Sequence, residues 1–212
     1  MSSELYGSRS DRLKASPPLF ASPFLDRFTR VHHLVPVALY GPVVAVCLVL
    51  GFARNDVLPA LGLVVAGYLL WTLTEYWLHR VVFHFEPEGG VGARLHFLIH
   101  GVHHDHPNDP KRLVMPPAAS IPLAIVFVLA FRAVFGADGW LPVTAGFLAG
   151  YLVYDEMHYW LHHHVPTTKL GKRLRELHMR HHFQDDTRGF GISAPYWDRV
   201  FGTFAPSRRN QG

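Results

Sequence analysis

The chain has 212 residues, 49% of them hydrophobic and 17% charged, so by length it is one domain, too apolar for disorder and too poor in charge for an ordinary soluble surface. Its single cysteine, Cys47, excludes an intrachain disulfide and any cysteine-ligated metal or iron–sulfur site. The net charge of +4 reads, in so apolar a chain, as cytoplasmic loops of a membrane protein, with no nucleic acid as partner.

Residues 1–34 form a polar segment with several prolines and arginines, expected in the cytosol. The membrane domain is expected over 35–203 and a short tail over 204–212. Four hydrophobic runs lie in it, at about 36–53, 57–77, 118–135 and 141–162. About 20 helical residues cross a hydrocarbon core, so each run predicts a span, the shorter two with some tilt. The expected fold is therefore an all-α integral membrane protein with four transmembrane helices. The breaks at 54–56 and 136–140 predict two helical hairpins. Of the 20 Lys and Arg residues, 18 fall in the N-terminal segment, the middle loop and the C-terminal region, and only Arg54 and Arg132 fall at the two hairpin turns. The positive-inside rule then puts both termini and the middle loop in the cytoplasm. A bacterial inner membrane is expected, or the endoplasmic reticulum in a eukaryote.

Histidine is the unusual residue, with 16 copies. Ten fall in four clusters: His79 and His84; His100, His103 and His104; His158 and His162; His178, His181 and His182. The predicted topology brings all four to one cytosolic compartment, as a histidine-rich cap. Residues at i, i+3 and i+4 share a helix face, so each triplet can converge on a point. His79 and His84 are about 140° apart on an α-helix and converge only if the helix bends or ends, or if they hold different metals. Three or four ligands serve one ion, so ten imidazoles predict a dinuclear metal site. His32, His33, His96, His106, His163 and His164 read as interfacial or supporting residues.

Two carboxylates stand near the clusters, Asp155 at i−3 to His158 and Glu75 at i−4 to His79. At a membrane boundary a carboxylate needs a partner, and a ligating imidazole needs an acceptor for its second N–H. That pairing is the expected role of both, with direct ligation as the alternative. Tyr159, beside His158, is a further candidate for the site. Lys111 or Arg112 are candidates to hold a carboxylate or phosphate. No serine-nucleophile motif, phosphate-binding glycine loop or H-E-x-x-H is present. The chemistry open to such a centre is oxygen activation by iron or zinc-assisted hydrolysis of a lipid or peptide.

The clusters in this order, with the segment H-G-V-H-H-D-H-P-N-D-P-K-R-L-V-M-P-P from His100 and the segment G-F-G-I-S-A-P-Y-W-D-R-V-F-G-T from Gly189, resemble the fatty acid hydroxylase / sterol desaturase superfamily, and within it the fatty acid 2-hydroxylases. The resemblance covers roughly residues 34–203. It implies metal ligation by the same ten histidines, and two metal ions, iron in the working enzyme with zinc able to replace it on purification. It also implies hydroxylation at C2 of a long-chain fatty acid or lipid-bound acyl chain with dioxygen. Animal and fungal members carry a cytochrome b5 domain, for which 34 residues are too few, so the expected electron donor is a separate protein. A related sterol or carotenoid desaturase or hydroxylase, and a zinc-dependent membrane lipid hydrolase, are the alternatives.

Overall fold

In a computed structural model, residues 7–205 are described. Among them the chain is helical: α1 (Arg9–Lys14), α2 (Pro23–Asp26), α3 (Leu34–Arg54), α4 (Val57–Trp77), α5 (Gly90–His96), α6 (Val102–Asp105), α7 (Pro117–His163), α8 (Lys169–Phe183) and α9 (Tyr196–Val200). The tail arginines Arg208 and Arg209 lie outside the described residues.

Among the described residues, three helices are long and apolar enough to cross a membrane: α3, α4 with its extension to Phe83, and α7. Four separate spans were expected. The third and fourth runs instead share the 47-residue α7, in which only Gly136 leaves helical geometry, at φ 69° and ψ −161°. An L-residue rarely adopts that φ, whereas glycine adopts it freely. The consequence is large. The ring of Phe147 lies 4.5 Å from Phe127 and 5.1 Å from Phe131, centroid to centroid. In one straight helix, 16 to 20 residues would separate such rings by about 24–30 Å. The chain therefore doubles back at Gly136. The Asn55 side chain, in the turn between α3 and α4, donates to the carbonyls of Gly51 (2.9 Å) and Asp138 (3.1 Å), tying the two turns together.

The outward faces remain bare. Leu58, Val49 and Val134 are 79%, 69% and 74% exposed. Uncovered apolar surface costs about 25 cal/mol per Å² in water, and hydrocarbon removes that cost. The molecule is an integral, multi-pass membrane protein. Inside, Tyr40, Trp71, Phe131, Phe147 and Tyr151 form the core between α3, α4 and α7. Small residues let α4 and α7 meet backbone to backbone. A Cβ on Gly146 would stand 1.9 Å from the Val64 carbonyl oxygen, and one on Gly67 2.1 Å from that of Val143.

Beyond the spans, the shorter helices form a cap. Its amphipathic α8 buries Leu174, Leu177, His178 and His181 along one face and starts at Thr168, whose hydroxyl accepts from the Gly171 N–H. The N-terminal segment straps the middle loop: Val31 N–H donates to Lys111 O (2.7 Å) and Asn108 N–H to Leu13 O (2.9 Å). Arg112, a candidate for binding an anionic substrate, is buried between Asp26 (3.6 Å) and Asp109 (3.7 Å) and serves this strap instead. Lys111 is exposed.

Gly146→Val should lower the melting temperature of the detergent-solubilised protein, since overpacking costs about 1–3 kcal/mol or more. Gly62→Val, at a position with open space around it, should leave that temperature unchanged. Equal behaviour of the two variants would contradict the close α4–α7 contact.

Candidate metal centre

The ten clustered histidines come together as two groups of five. His79, His84, His100, His104 and His181 make the first, and His103, His158, His162, His178 and His182 the second; within each group the ligand atoms lie within 4.8 Å of one another. None of the other six histidines joins either group.

Local backbone geometry explains how each residue arrives. After Trp77 the helix widens into a π-helical stretch, Leu78–Phe83, and the His84 N–H bonds to the His79 carbonyl at 3.2 Å. An i to i+5 bond puts residues five apart on one face. That is the change in helix geometry which the 140° offset of His79 and His84 requires. A second π stretch, Phe97–Gly101, leads into α6. The end of α7 supplies His158 and His162, one turn apart.

The triplets do not converge as the sequence suggested. His100 and His104 enter the first group while His103 enters the second; His178 and His182 enter the second while His181 enters the first. Adjacent helical residues differ by about 100°, so His103 and His104 cannot both aim at one nearby point. Each triplet spans both groups and holds them side by side, with the rings of His104 and His182 only 4.4 Å apart.

The geometry within each group fits a metal ion. In the first, Nε2–Nε2 distances are 3.2 Å (His79–His100), 3.3 Å (His79–His84), 3.1 Å (His84–His181) and 3.0 Å (His100–His104). In the second they are 3.0 Å (His103–His158), 3.1 Å (His103–His182), 2.8 Å (His162–His178) and 3.2 Å (His178–His182). Two nitrogens each about 2.1 Å from one ion and 90° apart would be about 3.0 Å from each other. Five Nε2 atoms aimed at one centre cannot all pair by hydrogen bonds, because each carries either a proton or a lone pair. The charge state also fits. Burial, reinforced by neighbouring imidazoles, pushes His84 down to about 3 and His104 to about 2, and holds His100, His103, His178 and His182 well below 6.5. These rings are neutral at pH 7, the form that ligates metal.

The supporting contacts differ from those expected. His79 Nδ1–H donates to Phe190 O (2.7 Å) and His181 Nδ1–H to Arg188 O (2.8 Å); a carbonyl only accepts, so both rings carry the proton on Nδ1 and a lone pair on Nε2. Glu75 is buried one turn before His79 but does not take its proton. Its Oε1 accepts from the backbone N–H groups of Ile192 (2.7 Å) and Ser193 (2.8 Å), and its Oε2 from the Ser193 hydroxyl. Asp155 is buried between Tyr151 and the Met115 backbone, and among the described residues no imidazole donates to it. Tyr159 points away: it stacks on His33 at 4.0 Å and 13°. Sequence reasoning missed Asp198, which is 1% exposed and accepts from the N–H groups of Phe190 (2.8 Å) and Gly191 (2.9 Å). Its only signal was its place in the Gly189–Thr203 segment. The carbonyls of Arg188 and Phe190 carry no side-chain signal at all.

An all-α membrane bundle capped by two five-histidine groups defines a class of membrane enzyme built around a dinuclear metal centre. The fatty acid hydroxylase family model matches residues 64–203, and the chain belongs to that family. It is 39% identical to dihydroceramide fatty acyl 2-hydroxylase FAH1 of Arabidopsis thaliana, over 92% of this chain and 83% of that protein. Identity is 38% with ceramide very long chain fatty acid hydroxylase SCS7 of Saccharomyces cerevisiae (90% and 50% covered) and 40% with human fatty acid 2-hydroxylase (69% and 40% covered). The likeness to the animal 2-hydroxylase is thus no nearer than that to the plant and yeast enzymes. A solved structure of full-length scs7p, with only its hydroxylase domain visible, superposes with a TM-score of 0.86 at 37% identity, over 91% of this chain and 74% of that one. The protein is accordingly an oxidoreductase, a monooxygenase of acyl chains.

The folded imidazoles have pKa values below the unfolded value of about 6.5, so below that pH the unfolded chain binds more protons than the folded one. Metal-depleted protein should keep its full stability above about pH 7 and lose it progressively as pH falls toward the His84 value of about 3. Thermal unfolding of chelator-treated protein between pH 8 and pH 4 measures this, and a flat profile would contradict the neutral, buried clusters.

Proposed function

We propose that the protein hydroxylates a long acyl chain at C2, as a free fatty acid or within a ceramide-like lipid, using a di-iron centre ligated by the ten histidines. The observation that carries this reading is the convergence of ten imidazoles, through Nε2, on two adjacent points. Five nitrogen donors exceed the four of a closed tetrahedral zinc site and leave one position of an octahedral ion open. The names of the similar plant, yeast and human proteins supply the 2-hydroxylation and the acyl or ceramide substrate.

Bound iron would supply the redox chemistry by which dioxygen attacks a C–H bond. The chain's own part is to orient and shield. The carbonyls of Phe190 and Arg188 fix the rings of His79 and His181. The Phe190 ring covers His79, His84 and His181 at 5.4–5.8 Å, and Phe83 stacks on His100 at 5.2 Å, so apolar surface limits water around the first group.

Four membrane crossings belong to the same proposal. The 47 residues of α7 would measure about 70 Å if straight, against a hydrocarbon core of about 30 Å. Doubled at Gly136, each half has the length of one crossing. The 18 to 2 distribution of basic residues then supports cytosolic termini and a cytosolic centre. The exposed Lys169, Lys172 and Arg188 suit an acidic, separate electron-transfer protein.

Membranes containing the protein, given dioxygen, a reducing system and a labelled long-chain fatty acid, should yield a 2-hydroxy acid on hydrolysis of their lipids. The product should vanish without oxygen and in His181→Ala. Hydroxylation at another carbon, or product that persists in His181→Ala, would sink the reading; mass spectrometry of the hydrolysed lipids distinguishes these outcomes.

A further inference from the structure

The first histidine group has a support that does not reach the second. The loop over residues 188–193 crosses above it and offers two carbonyl oxygens, Arg188 O to His181 and Phe190 O to His79. In the second group, the Leu113 backbone bonds His158, while the Nδ1 atoms of His103, His162, His178 and His182 are buried and have no hydrogen-bond partner among the described residues. The two halves of the centre are therefore held by different segments of the chain.

The loop itself contains no regular secondary structure, so its backbone N–H groups need acceptors from elsewhere. Two buried carboxylates supply them, from opposite sides. Asp198, in α9, takes Phe190 N–H on Oδ1 and Gly191 N–H on Oδ2, and the Thr203 hydroxyl donates to Oδ1 at 2.8 Å. Glu75, in α4, takes the next two N–H groups, of Ile192 and Ser193, on Oε1. Four consecutive N–H groups are thus bound by two carboxylates that are 1% and 2% exposed. The Phe190 peptide joins the two layers: its N–H is held by Asp198 while its C=O holds His79. The approach leaves no slack, since a Cβ on Gly191 would lie 2.4 Å from the Ala194 carbonyl oxygen.

We infer that Glu75 and Asp198 are positioning residues for the first metal ion, clamping the 188–193 loop so that its carbonyls orient His79 and His181, and that the second ion does not depend on them. This rests on the reading of the two groups as metal sites, and goes beyond it by making the two ions unequal in how they are held. Carboxylates that buttress a ligand typically change metal affinity by about 10- to 100-fold when removed, and here the effect should reach one ion only.

The two carboxylates also differ in what can replace them. Both oxygens of Asp198 accept from a backbone N–H, so an asparagine turns an NH₂ against a donor. One oxygen of Glu75 takes both N–H groups, and the other meets a hydroxyl, which can accept as well as donate. Glu75→Gln can therefore keep the clamp, whereas Glu75→Ala cannot.

The test measures metal per chain, and its release to a chelator, in the detergent-purified full chain and in D198N, E75A and E75Q, each checked for monodispersity and melting temperature. The native chain should hold two ions. In D198N and E75A one ion should leave about 10- to 100-fold faster, or be absent, while the other keeps its native release rate. E75Q should stay within about two-fold of native. His103→Ala, which disables the second group, should hold about one ion, and D198N combined with it about none. If E75A fails to fold, D198N and E75Q still give opposite expectations. Two ions retained in D198N with native release, or equal loss of both ions, would overturn the inference while leaving the two-site reading intact. A native chain that holds no more than one ion would overturn that reading and the inference with it.

Discussion

Everything in this molecule answers to one constraint: ten imidazole nitrogens, drawn from four separated stretches of chain, must aim at two points a few ångströms apart. A lone pair is directional, so it is not enough for the rings to be near. Regular α-helix cannot meet the demand everywhere. Residues five apart diverge by about 140°, and adjacent residues by about 100°. The chain resolves the first conflict by widening the helix at Leu78–Phe83, and the second by letting each triplet serve both groups. π-Helical stretches are rare and tend to mark functional sites. Two of them occur among the described residues, and both carry or adjoin members of the first group.

Crowding so many titratable groups has an electrostatic cost that burial resolves in one direction. An imidazolium inside either group would face several others with no bulk water between them. The rings outside the spans are accordingly held neutral, with their lone pairs free. Neutrality removes the repulsion but leaves unsatisfied lone pairs pointing inward, and the groups are complete only as a ligand shell. The same reasoning accounts for the acids nearby. Glu75 and Asp198 spend their charge on backbone N–H groups one layer out, where they order a loop without placing a negative oxygen in the ligand shell.

What the sequence made legible, and what it concealed, divides along physical lines. The apolar runs and the ten clustered histidines are properties of side chains, and both could be read. The split of His100, His103 and His104 between two groups was hidden because helical spacing fixes direction only to within a face, and the two groups lie within one face's breadth. Glu75 was read as a carboxylate at the membrane boundary in need of a partner, but its spacing to His79 suggested a direct contact, whereas the contact runs through the loop. The acceptors of His79 and His181 are carbonyls of Phe190 and Arg188, and every residue has a carbonyl. Tyr159 shows the opposite error: adjacency to His158 in sequence put it on another side of the helix, against His33. The third and fourth apolar runs were legible, but they were expected as two separate spans with a five-residue turn, whereas they share the one helix α7, bent at Gly136 alone.

The placement of the centre follows from the two hairpins. Asn55 joins the α3–α4 turn to the turn at Gly136, so these bends share one end of the bundle. His79 and His84 follow α4, and His158 and His162 end α7, which puts them a full helix length away, at the opposite end. The core between contains Trp71, Phe147 and Tyr151, and above it Tyr154 packs 5.9 Å from His158, so aromatic packing runs continuously from the membrane interior to the edge of the second group. An enzyme that hydroxylates an acyl chain must bring an apolar substrate to a metal centre built from polar side chains. A centre at the end of the spans, roofed by a polar cap and floored by an apolar core, meets that demand with one boundary.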